Sequence, residues 1–78
     1  MGLLNAEYKI EFYKNDDKLL TLGANKPKKV SKMVDTGIST KPCNSVVIYK
    51  YEGLLKRGYV IQFNGSPEDA LQFANNLK

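Results

Sequence analysis

The chain has 78 residues, 12 Lys and Arg against 8 Asp and Glu for a net charge of +4, 42% hydrophobic residues and no histidine. That length suits a single domain, residues 1–78, with room for one sheet and two helices around a modest core, and the composition is that of a folded chain. The missing histidine and the lone Cys43 exclude Ser/His and Cys/His nucleophile pairs, His-ligated metals and an intramolecular disulfide.

The opening "MGLLNAEYK" has neither the basic start nor the apolar length of a secretory signal, and no apolar run reaches the roughly 18 residues of a membrane span, so a cytoplasmic protein is expected. Ala6 stands where a myristoylation pattern favours Ser or Thr. The first element is "EYKIEFYK", residues 7–14, whose alternation puts Tyr8, Ile10 and Phe12 on one face and leaves Glu7, Glu11 and Lys14 with the polar set. "NDD" at 15–17 is turn chemistry, and "KLLTL" at 18–22 returns as a second strand that Gly23 ends. Pro27 suits the first turn of a helix, with Val30, Met33 and Val34 at helical spacing and Gly37 as the stop.

The second half runs in the same order. "NSVVIYKY", 44–51, is a β-branched and aromatic strand, "EGLLKRG" a connection, and "YVIQF", 59–63, the return strand. Asn64-Gly65-Ser66, formally a glycosylation sequon, reads as a turn into a helix cap. Ser66 suits the N-cap, Pro67 the first helical position and Glu68 and Asp69 the first turn, before the stripe Ala70, Phe73, Ala74 and Leu77. An offset of forty residues carries Pro27 to Pro67, Val30 to Ala70, Met33 to Phe73 and Val34 to Ala74. This spacing predicts a tandem ββα pseudo-repeat, 7–37 and 44–78, and an α+β domain in ββαββα order: a four-stranded antiparallel sheet with both helices on one face.

The charge is concentrated. Residues 26–41 hold Lys26, Lys28, Lys29, Lys32 and Lys41 against Asp35 alone, which accounts for the entire net charge and leaves seven bases and seven acids elsewhere. A helix N-terminus disfavours cations by a few tenths of a kcal/mol each. The second helix obeys that rule with Glu68 and Asp69; the first breaks it, and a broken rule with no structural return points to function. Lysine amines around free helix N–H groups suit a phosphate or a carboxylate. The plainer reading is the wet side of an ordinary amphipathic helix, since lysine is a good helix former.

The uncovered sheet face is expected to carry Lys9, Glu11, Tyr13, Thr21, Lys50 and Gln62, with Tyr13 placed to stack a nucleobase. In "GLLKRG", Lys56 and Arg57 extend the basic set, while Leu54 and Leu55 offer a contact to a partner protein. Edge strands of so small a sheet invite strand addition and hence a homodimer. No phosphate-loop spacing and no paired carboxylates stand out, so no enzyme, cofactor or metal is expected. Two functions remain in view. One is a basic module that binds nucleic acid through Lys26, Lys28, Lys29, Lys32, Lys41, Lys56 and Arg57. The other is a protein-interaction module, an inhibitor or regulator of the kind found on mobile genetic elements, that docks its basic helix on an acidic partner.

Overall fold

The computed structural model describes residues 6–52 and 58–77. Strands β1 (Tyr8–Lys14) and β2 (Asp17–Ala24) are followed by helix α1 (Pro27–Thr40), then β3 (Ser45–Tyr51), β4 (Tyr59–Gly65) and helix α2 (Pro67–Asn75). The four strands form one antiparallel sheet in the order β2-β1-β3-β4. The fold is α+β in ββαββα order, with both helices on one face of the sheet.

Local chemistry accounts for each element. The two-residue turn Asn15-Asp16 has φ of 52° and 73°, the left-handed pair that matches the twist of a tight hairpin and that Asn and Asp tolerate. Alternation in β1 sends Tyr8, Ile10 and Phe12 into the core, where they meet Ile48 and Val46 of β3 and Val30 and Val34 of α1. Lys14 shares the parity of Phe12 rather than that of Glu11, and stays wet because it lies at the strand end, paired with Asp17. β2 runs past Gly23, whose backbone pairs with Lys9, to the buried Ala24 opposite Tyr8. The expected end at Leu22 falls two residues short because a glycine inside a ladder and a glycine after it look alike in sequence.

Helix α1 likewise continues beyond Gly37 to Thr40. Gly37 is buried, and a Cβ there would fall inside the ring of Phe12. The glycine thus serves close helix–sheet approach, and the helix ends three residues later, before Pro42, with the Lys41 N–H donating to the Gly37 carbonyl at 3.0 Å. Helix α2 begins as its sequence implies: Ser66 Oγ accepts the N–H of Asp69 at 3.2 Å. Phe73 stacks on Phe63 of β4 with ring centres 5.3 Å apart. α1 packs on β1 and β2, α2 on β3 and β4, and the helices pack on each other. Cys43 packs half-buried against the core, and burial pushes its thiol up, away from the reactive thiolate.

Candidate nucleic-acid interface

α1 positions its lysines by the same periodicity that buries its apolar stripe. At roughly 100° per residue, Lys28 and Lys32 point away from Val30, Val34 and Gly37, and Lys29 flanks them. Lys26 is the N-cap residue, extended, with no side-chain cap, and the first turn contains no acid. All four lysines are exposed, and among the described residues none has a carboxylate within ion-pair distance. A cation-rich helix start with uncapped N–H groups is a positive end that no acidic side chain among the described residues neutralises.

Lys41 does not belong with them. It is the C-cap residue of the same helix, a helix length of about 21 Å from Lys26, and lies toward the β1–β2 turn. Nearness in sequence joined what a helix separates. Lys56, Arg57, Leu54 and Leu55 lie outside the described residues.

Tyr13 is on the uncovered sheet face, opposite the helices, so α1's lysines and the Tyr13 ring look in opposite directions. Cross-strand register builds this face in rows. Lys9 lies between Gly23 and Tyr49, with Ile61 beyond; Glu11 lies between Thr21 and Val47, with Asn64 beyond; Tyr51 pairs with Tyr59. Lys50 is absent from it, because it pairs with Tyr8 and takes the helix side, and Gln62 sits in a bulge of β4. The face holds three tyrosines besides Tyr13. Period two along "SVVIYKY" places Val47, Tyr49 and Tyr51 together once Val46 and Ile48 are taken into the core, and that was the signal available for Tyr49 and Tyr51.

At the centre, Glu11 is only 5% exposed. It accepts hydrogen bonds from the Tyr13 hydroxyl at 2.6 Å, the Tyr49 hydroxyl at 3.0 Å and Lys18 Nζ at 3.3 Å, and Lys9 Nζ stands 3.7 Å away. Burial alone would raise its pKa, but the two hydroxyls and Lys18 together hold it below the ordinary value. The hydrogen bond to Glu11, with burial, pushes Tyr13 up to about 12. Burial and the same carboxylate raise Tyr49. Lys9 Nζ also lies 4.8 Å from the ring centre of Tyr49 and 4.7 Å from that of Tyr59. Tyr59 in turn donates its hydroxyl to the Ala6 carbonyl at 2.6 Å and meets Tyr51 edge to face at 5.4 Å. Tyr51 and Ile61 are the large apolar side chains this face leaves exposed.

Beside Tyr13, at the turn end of the sheet, is an open depression of about 430 Å³. Val47, Ser45 and the asparagines Asn15, Asn44 and Asn64 line it with Tyr13, and Asp16 stands at the turn. Asn15 and Asn44 bind each other: the Asn44 amide donates to Asn15 Oδ1 at 3.1 Å, and the Asn15 N–H to Asn44 Oδ1 at 3.3 Å. Among the described residues no group of three or more His, Cys, Asp or Glu side chains is placed to hold a metal ion, and no helix is long and apolar enough to cross a membrane. No protein-family model, curated protein or solved structure matches the chain.

Proposed function

We propose that the protein is a small non-enzymatic module of the cytoplasm that binds nucleic-acid phosphates through the lysine-bearing face of α1. The observation that carries this reading is the set Lys26, Lys28, Lys29 and Lys32: exposed, without acidic partners among the described residues, and gathered at a helix end that disfavours them. Binding is mainly electrostatic, with little sequence preference. Four neutralised phosphates give a log–log salt slope of about −3 to −4. A fluorescence-polarisation titration of single- and double-stranded oligonucleotides at two salt concentrations tests it. No binding at low salt, or a slope near zero, would sink it.

An acidic protein surface is the second reading. Tyr51 and Ile61, exposed and diagonal to one another on β3 and β4, offer a protein an apolar contact that phosphates cannot use. Reversing Lys28 and Lys29 to Glu weakens either partner at α1, whereas Ile61→Asp, on the opposite face, weakens only a protein that also reaches the open sheet. β2 and β4 are the outer strands, so a homodimer by strand addition would form through one of them.

A further inference from the structure

The depression beside Tyr13 has no part in the α1 reading and lies on the other face of the sheet. Its volume of about 430 Å³ falls within the range of ligand clefts, roughly 300–1,000 Å³. Its lining combines a ring, an aliphatic side chain and polar groups that the fold has left unspent. Tyr13 is held in place because its hydroxyl is committed to the buried Glu11. Asn15 and Asn44 satisfy each other, but the Asn64 amide, the Asp16 carboxylate and the Ser45 hydroxyl have no hydrogen-bond partner among the described residues.

Those groups suit a flat heterocycle with apolar faces and an edge of mixed donors and acceptors. An asparagine amide both donates to and accepts from a base edge, and an aspartate accepts from an exocyclic amino group. Aromatic side chains stack unpaired bases. Lys18, 51% exposed and paired across the strands with Tyr13, already gives one donor to Glu11 Oε2 at 3.3 Å and keeps its other N–H groups for a ligand phosphate beside the depression. We propose that this depression binds one unstacked nucleobase of a nucleotide or single strand. Tyr13 is the stacking ring, Asn64 and Asp16 meet the base edge, and Lys18 faces the phosphate.

The test is an amide-resolved NMR titration of the full chain with AMP, GMP, CMP and UMP in turn, with ribose 5-phosphate and maltose as controls. At least one nucleotide should shift the amides of Tyr13, Ser45, Val47 and Asn64 in a saturable way, and neither control should. Asn64→Ala, at an exposed position, and Tyr13→Leu should each weaken that binding by roughly 5- to 100-fold, whereas Tyr13→Phe, which keeps the ring, should retain most of it. If Tyr13→Leu does not fold, Asn64→Ala decides alone. Salt-dependent oligonucleotide binding without these shifts would sink this proposal alone, and these shifts without such oligonucleotide binding would sink the α1 reading alone, so the two failures are distinguishable. The proposal is overturned by no shifts at millimolar nucleotide, by equal shifts with ribose 5-phosphate or maltose, or by wild-type affinity in Asn64→Ala.

Discussion

Gly37 of α1 sits directly over the ring of Phe12, so close that a β-carbon would occupy the ring's own space. Phe12 is fully buried and central to the core, so it cannot move aside cheaply. Gly37→Ala gains about 1 kcal/mol of helix propensity but forces overpacking that costs about 1–3 kcal/mol or more. The expected result is a net loss, read as a fall in Tm of roughly 5–15 °C. An unchanged or higher Tm would show that the helix can lift off the sheet.

Glu11 sets the acid limb of stability. Its pKa is depressed in the folded protein, so the stability it supplies is complete above the ordinary value of 4.5 and is lost as pH falls below it through the folded value. Urea denaturation at pH 7 and pH 3 should show Glu11→Gln less stable by about 1–3 kcal/mol at pH 7 and much closer to wild type at pH 3. A difference that does not shrink at low pH would mean that packing, and not charge, explains the loss.

Tyr13 carries the opposite limb. Its folded pKa is raised from 10.0 to about 12, so its contribution is complete below pH 10 and disappears as pH rises through about 12. Absorbance titration of the phenolates should find Tyr13 ionising late, and Glu11→Gln should bring it back toward 10. A Tyr13 that titrates normally in the wild type would contradict the 2.6 Å hydrogen bond.

Lys26 is where stability and binding part company. An Asp at this uncapped N-cap supplies the missing acceptor and removes a misplaced cation, worth about 1 kcal/mol together. Lys26→Asp should therefore raise Tm while lowering oligonucleotide affinity at low salt. If both rise, Lys26 is not part of the binding surface. Lys41→Ala, at the far end of α1, should change affinity less than Lys28→Ala in the same titration.

Much of the fold can be read from periodicity. The alternation of Tyr8, Ile10 and Phe12 and the stripe Ala70, Phe73 and Ala74 determine which faces are buried, and Ser66-Pro67 marks a helix start without ambiguity. Contacts between elements are a different matter. Gly37 reads as a helix stop until Phe12 is seen beneath it. Lys50 reads as a wet residue of the open face until its pairing with Tyr8 fixes its side. The lysine cluster was legible as a concentration of charge, but Lys41 was grouped with it by chain distance alone. The depression at Tyr13 draws on residues from 13 to 64, joined only by the register of β1, β3 and β4.

The order β2-β1-β3-β4 means that the sheet's two halves meet along the β1–β3 ladder, each hairpin carrying its own helix. A cut between Lys41 and Asn44 would yield two ββα pieces, each ending in a bare inner strand with unpaired N–H and C=O groups and an uncovered helix flank. Such pieces are complementary halves of one core. Mixed in solution, they should reassemble into the whole, and either one alone should aggregate or pair with itself along the strand it was built to share.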